Sequence, residues 1–70
     1  MEWINTPDSS NIAGFGYAEA SRTLTVEFKN GGRYEYFDVP PSVFEDMKAA
    51  DSKGKFLAQS IKGHFRYARV

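Results

Sequence analysis

Residues 23–37 of this 70-residue chain, TLTVEFKNGGRYEYF, decide its fold. Apolar and polar residues alternate in TLTVEFK (23–29), and this period of two predicts a half-buried strand. The same alternation resumes in RYEYF (33–37). Asn30-Gly31 lies between the two runs, and Asn-Gly in that position is the strongest short-range signal for a β-hairpin. The stretch therefore predicts two antiparallel strands joined by a tight turn.

The register of this hairpin follows from the residues that it must bury. A two-residue loop would place a glutamate on the apolar face and send both tyrosines to the other face. A three-residue loop over 30–32 buries no carboxylate. Phe28 then lies opposite Tyr34, and Val26 lies opposite Tyr36. We therefore predict the three-residue loop, with its last glycine in the left-handed conformation that such loops favour.

The segments on either side of the hairpin predict one more strand and two helices. Residues 12–19 alternate, with aromatic side chains on one face and two glycines among the opposite positions, as in a strand. Two prolines then end the sheet, because they cannot donate to its hydrogen bonds. Residues 41–50 place apolar side chains at helical spacing. Residues 53–62 are predicted to form a second helix, which either Asp51 or Ser52 can cap and Gly63 can end.

The predicted fold class is α+β, a three-stranded antiparallel β-meander followed by two short α-helices. Residues 10–67 form the domain, residues 1–9 an irregular lead and residues 68–70 a C-terminal tail. A chain this short buries only ~60% of its unfolded surface, so large side chains must supply the core. Aromatic residues make up 16% of the sequence, which meets that need.

The charges are unevenly distributed, although the formal net charge is zero. Residues 1–51 carry all nine acids and four bases, whereas residues 52–70 carry five bases and no acid. Cations interleaved with rings suit the binding of phosphates beside stacked bases. The candidate RNA-binding residues are Tyr34, Tyr36, Lys53, Lys55, Lys62, Arg66 and Tyr67, and Arg69 belongs to the same basic segment. The alternative for the cations is an ordinary solvated surface that balances the acidic half.

Two interpretations of the hairpin tyrosines stay open. Tyr34 and Tyr36 share one strand face, and paired rings on a sheet are what single-stranded RNA binders use. The same rings can instead build the core opposite Val26 and Phe28, with their hydroxyls at its rim. The small size of the domain favours the core.

No catalytic or metal site is indicated. His64 is the single histidine, and the chain has no cysteine with which it could share a zinc ion. Glu27 and Glu35 are expected to face each other as an exposed pair, not as an acid/base dyad in a cleft. Gly54-Lys55 lacks the other residues of a phosphate-binding loop. We therefore expect no enzyme activity, no cofactor and no metal.

No segment predicts export or membrane insertion. The N-terminus, MEWINTPDSSN, has neither a basic start nor the apolar run of a signal peptide. No stretch approaches the ~18 consecutive apolar residues of a membrane span. The cytoplasm is the expected location.

Three strings in the sequence carry a family resemblance: T-L-x-V-x-F-K-N-G-G-x-Y-x-Y-F-x-V-P (23–40), A-A-D-S-K-G-K-F (49–56) and I-K-G-x-F (61–65). In these strings the chain resembles the KTSC domain, whose characteristic pair corresponds to Tyr34 and Tyr36. That family is named for its occurrence at the C-terminus of some lysyl-tRNA synthetases, and it also occurs as small stand-alone bacterial and phage proteins. The resemblance brings no catalytic residues with it.

Two functional hypotheses follow. The synthetase context implies an accessory module that binds RNA, tRNA in particular, through the basic second helix and tail. The alternative is a protein-interaction module or adaptor. It would accept a partner strand at an exposed edge of the strand at 12–19.

Overall fold

An antiparallel sheet of five strands in chain order forms the centre of the structure, a computed structural model that describes residues 1–70. The strands are β1 (Glu2–Asn5), β2 (Ile12–Ala18), β3 (Thr23–Phe28), β4 (Arg33–Tyr36) and β5 (Tyr67–Arg69). Two helices separate β4 from β5 in the chain: α1 (Pro41–Ala49) and α2 (Lys53–Phe56), which a π-helical turn (Leu57–Ile61) continues. The predicted α+β class is confirmed.

The sheet has five strands rather than the predicted three, because both ends of the chain pair with it. β1 occupies residues 2–5 of the irregular lead predicted for residues 1–9, and β5 includes residues 68–69 of the predicted tail. The indole of Trp3 in β1 lies across Gly14 and Gly16 of β2, where an added Cβ would come within 2.9 and 2.5 Å of it. The two glycines thus make room for the ring that holds β1 on the sheet.

The register of β3 and β4 differs by two residues from the predicted one. Val26 lies opposite Tyr34, and Leu24 lies opposite Tyr36. The predicted pairs with Phe28 and Val26 are therefore wrong. Because a shift of two preserves the alternation of faces, both tyrosines still point to the side that the prediction gave them.

The turn explains this shift. Its loop has three residues as predicted, but it occupies positions 29–31 instead of 30–32. Gly31, not Gly32, has the left-handed φ, at +95°. The side chain of Asn30 accepts a hydrogen bond from the Gly32 N–H at 3.0 Å. Asn-Gly thus fills the last two loop positions, and Gly31 takes the final one, where the left-handed conformation is required.

The two glutamates of the hairpin do not face each other. Glu27 lies opposite Arg33, with a nitrogen-to-oxygen distance of 3.9 Å, and Glu35 lies opposite Thr25. The predicted pair of like charges is therefore wrong, as a consequence of the shifted register. Opposite charges now meet across the strands, an arrangement that favours the hairpin modestly.

The core lies between the helices and one face of the sheet. Phe44 of α1 stacks on Tyr17 with ring centroids 5.0 Å apart and meets Phe15 edge-on at 5.7 Å. The Tyr17 hydroxyl also donates a hydrogen bond to the Val39 carbonyl. Eleven hydrophobic residues are buried here: Ile12, Phe15, Tyr17, Leu24, Val26, Tyr36, Val39, Phe44, Met47, Leu57 and Ile61. Aromatic packing therefore fixes the first helix against the sheet.

Candidate functional site

A groove of about 800 Å³ opens on the core side of the sheet, between the β3–β4 hairpin, β5 and the turn that follows the π-helical segment. Four rings and three cations line it: Phe28, Tyr34, Tyr36, Tyr67, Lys29, Lys62 and Arg69. The remaining lining residues are serine, asparagine and glycine, and none is acidic. We call this site the aromatic groove.

Strand pairing brings the four rings together. β4 and β5 pair so that Tyr36 lies opposite Tyr67. The Tyr67 ring centroid is 5.7 Å from that of Tyr36 and 6.0 Å from that of Tyr34. Phe28 meets Tyr34 edge-on at 5.7 Å. The rings therefore form one continuous aromatic surface with typical contact distances.

The rings differ sharply in exposure. Tyr36 is 3% exposed and belongs to the core, whereas Tyr67 on the edge strand is 61% exposed. Tyr34 lies between them and is half-buried. The preference for a core role is thus confirmed for Tyr36, while Tyr34 both packs against the core and lines the groove.

Burial also affects the chemistry of Tyr36. Desolvation raises its pKa above the ordinary value of 10.0, and the neighbouring phenols of Tyr34 and Tyr67 raise it further. The hydroxyl therefore stays protonated further into the alkaline range than an ordinary tyrosine, and in that form it can both donate and accept hydrogen bonds.

Two of the three cations lie beside rings of the groove. The Arg69 guanidinium carbon is 6.0 Å from the Tyr34 ring centroid, and the Lys62 ammonium is 5.7 Å from that of Phe28. The Lys29 ammonium donates to the Pro7 carbonyl at 3.1 Å. None of the three forms a salt bridge. The groove is therefore electropositive without a compensating carboxylate.

The π-helical turn positions one of these cations, Lys62, at the groove. The N–H of Lys62 donates to the Leu57 carbonyl at 2.8 Å, a span of five residues. Leu57 and Ile61 are both buried at the two ends of the turn. The predicted second helix over 53–62 thus changes geometry halfway along, and its end places Lys62 at the groove. π-helical turns are rare and occur frequently at functional sites.

The predicted site residues divide between the groove and other parts of the molecule. Tyr34, Tyr36, Lys62 and Tyr67 line the groove. Lys53, Lys55 and Arg66 do not. Phe28 and Lys29 line it without having been predicted, and Arg69 lines it as one of the five cations of the basic C-terminal segment. The alternation of Tyr67 and Arg69, two residues apart, was the signal that could have placed Arg69 beside the tyrosines on one strand face.

Lys53 and its neighbours build the junction between the helices. The Lys53 ammonium donates to the carbonyls of Lys48 and Ala50 at 3.0 and 2.6 Å, which satisfies the end of α1. The Ser52 hydroxyl accepts from the Lys55 N–H at 3.3 Å and caps α2. The string at 49–56 therefore has a structural role in this chain.

The other two cations outside the groove have acidic groups nearby. Arg66 forms a salt bridge with Asp38 at 2.9 Å, and both side chains are largely exposed. Lys55 lines a second, polar groove of about 740 Å³ together with Asp8 and Asp51. The charge of Arg66 is thus partly compensated, and Lys55 shares its groove with two carboxylates, whereas the groove of Lys62 has none.

The fold and groove define a small α+β domain with an aromatic, cation-flanked site on one side of its sheet. The KTSC domain model matches residues 8–65, and the chain belongs to the KTSC domain family. The crystal structure of a KTSC domain protein from Yersinia pestis superimposes with a TM-score of 0.88, at 33% sequence identity and 97% coverage of both chains. No helix has the length and apolar character needed to cross a membrane.

Relatives of the chain are of two kinds. The lysine–tRNA ligase of Nostoc punctiforme is 47% identical over 64 residues, which cover 91% of this chain and 11% of the ligase. A protein of Tsukamurella paurometabola is 42% identical over 59 residues, which cover 84% of this chain and 88% of that protein. The chain therefore spans about a tenth of the ligases that it matches, and it resembles small proteins over most of their length.

Proposed function

We propose that this domain binds RNA and that the aromatic groove is the contact surface. The observation that carries the proposal is the combination of four contiguous rings with three cations and no acidic lining residue. Rings supply stacking at ~1–3 kcal/mol per base, and cations supply phosphate contacts. Several relatives are named lysine–tRNA ligases, which makes tRNA the first RNA to test.

The proposed contact residues combine predicted and unpredicted positions. Tyr67 offers the most exposed ring of the groove, and Tyr34 offers a half-buried one. Lys29, Lys62 and Arg69 contact phosphates, because they flank the rings and have no carboxylate partner. We assign Lys53, Lys55 and Arg66 to the helix junction and the outer surface.

The test compares two double variants that remove the same charge. Lys62→Gln/Arg69→Gln removes two groove cations, and Lys55→Gln/Arg66→Gln removes two predicted cations outside the groove. Binding of tRNA is measured by fluorescence anisotropy over a series of salt concentrations. The groove variant should bind more weakly and flatten the log–log salt slope by ~1.4–1.8, since each lost phosphate contact is worth ~0.7–0.9.

The control variant should keep nearly the affinity and slope of the unmodified protein. Equal losses in both variants would mean that only overall charge matters, which would contradict the groove as the contact surface. A complete lack of tRNA binding at low salt would rule out the proposed function.

The adaptor hypothesis loses the strand edge that was proposed for it. It relied on a free edge of the strand at 12–19, but β2 lies between β1 and β3 and pairs with both. The prediction of that edge is wrong, because β1 covers it. The free edges of the sheet belong to β1 and β5, which are both short.

A further inference from the structure

We infer that the RNA segment held by the groove is unpaired, with a base stacked on Tyr67 and a neighbouring phosphate at Arg69. This inference rests on the proposed function and names its ligand more closely. It depends on three observations: the access to the Tyr67 ring, the spacing of rings and cations, and the concave shape of the site.

The Tyr67 ring is accessible to a flat ligand. It is 61% exposed, and its strand is the last of the sheet. The rings of Tyr34 and Tyr36 cover its inner side at 6.0 and 5.7 Å. A base that stacks on it must present its face, which the bases inside a duplex cannot do because they are stacked on both sides. Away from duplex ends, only an unpaired base therefore gains from this ring.

The spacing of rings and cations matches the alternation within a nucleotide chain. Each nucleotide joins one anionic phosphate to one flat base. Tyr67 and Arg69 lie two residues apart on the same face of β5, which corresponds to ~7 Å along the strand. Arg69 and Lys62 each lie within 6.0 Å of a ring centroid in the groove. A single strand can thus place a base and a phosphate at neighbouring groups of the groove.

The shape of the site also disfavours a duplex. A duplex presents its phosphates on a convex, rigid surface, so it suits a flat or protruding array of cations. Here the cations stand around a concave aromatic floor. A duplex would contact the rim and leave the rings unused, whereas a flexible strand can enter. Three cations limit the held segment to about three phosphates.

The test measures the anisotropy of three labelled ligands that share backbone charge. They are a short single-stranded oligoribonucleotide, a blunt duplex of half its length, which carries the same number of phosphates, and an abasic strand of the full length. The single strand should bind more tightly than the other two by about 5- to 150-fold for each base that stacks. Tyr67→Ala should remove one such factor for the single strand and leave the duplex and abasic ligands unchanged. Tyr67→Phe should keep the affinity, because it keeps the ring.

The possible failures are distinguishable. If all three ligands bind equally and Arg69→Gln weakens all of them, the groove binds phosphates without stacking; the proposed function then stands and this inference is overturned. A Tyr67→Ala variant that binds the single strand normally would also overturn it. If no ligand binds even at low salt, the proposed function fails first.

Discussion

Tyr36 and Tyr67 lie opposite each other on β4 and β5, yet they have different roles. Tyr36 is 3% exposed and supports the core, whereas Tyr67 is 61% exposed. The difference follows from their positions: β4 is flanked on both sides, and β5 has one free side. Because β5 is an edge strand, the ring of Tyr67 is exposed and accessible to a ligand, whereas that of Tyr36 is not.

The burial of Tyr36 makes stability depend on pH in the alkaline range. Desolvation, followed by the phenols of Tyr34 and Tyr67, raises its folded pKa above the ordinary 10.0. The unfolded chain releases this proton first, so the contribution of Tyr36 to stability is complete below pH 10.0 and is lost as the pH rises through the raised pKa. The free energy of unfolding should therefore fall more steeply above pH 10.0 in the unmodified protein than in Tyr36→Phe.

Urea unfolding at a series of pH values on both sides of 10.0 measures this difference. Tyr67→Phe is the matched control, since it removes an exposed hydroxyl and should retain the steep decline. Lys48 also has a raised pKa, mainly through its hydrogen bond to Glu45, but it is present in every variant and cancels in the comparison. Parallel declines in the unmodified protein and Tyr36→Phe would contradict the prediction.

At the scale of elements, the sequence predicts those whose signals are local. The hairpin is marked by alternating apolar and polar residues and by its Asn-Gly turn, and α1 is marked by an initial proline and an apolar stripe. Both elements are therefore predicted from the sequence. β1 is four residues long and depends on the indole of Trp3 over two glycines far along the chain. β5 has three exposed residues and exists because β4 offers a free edge. Pairing between distant segments leaves little trace in either segment alone.

The same reason limits the prediction of the groove. Tyr34, Lys62 and Tyr67 carry visible signals, since rings and cations stand out in the sequence. Arg69 joins them through the β4–β5 register, and Lys29 joins them through the shifted turn. In the sequence, Lys53 cannot be distinguished from the neighbouring cations. Its structural role becomes visible only through its hydrogen bonds to two carbonyls.

The start of α2 offers a test of the helix junction. The Ser52 hydroxyl accepts from the Lys55 N–H at 3.3 Å and satisfies one free donor of the helix. Ser52→Ala should therefore lower the free energy of unfolding by ~0.5–2 kcal/mol. Ser60→Ala is the control, because this exposed serine lies within the π-helical turn and not at a helix start. Equal stabilities of the two variants in urea unfolding would contradict the role of Ser52 as a cap.

At the scale of the whole molecule, the first and last strands occupy opposite edges of the sheet and have different roles. β1 contributes the indole that covers the glycines of β2. β5 contributes none of the eleven buried core residues but supplies two residues to the groove. The contribution of β1 to stability and the contribution of β5 to the proposed binding surface therefore lie at opposite edges of the sheet, although the molecule measures only 28 × 25 × 23 Å.

This separation predicts opposite effects for truncations at the two ends. Removal of residues 67–70 leaves all eleven core residues in place and deletes Tyr67 and Arg69, so the chain should still unfold cooperatively but lose RNA affinity. Removal of residues 1–5 deletes Trp3 and exposes apolar surface on β2, so it should lower the Tm while every ring and cation of the groove remains. Thermal unfolding and RNA anisotropy, recorded for both variants at a temperature where both are folded, measure the two effects separately. If the C-terminal truncation kept full RNA affinity, or the N-terminal one lost it while folded, the groove at β5 would not be the binding surface.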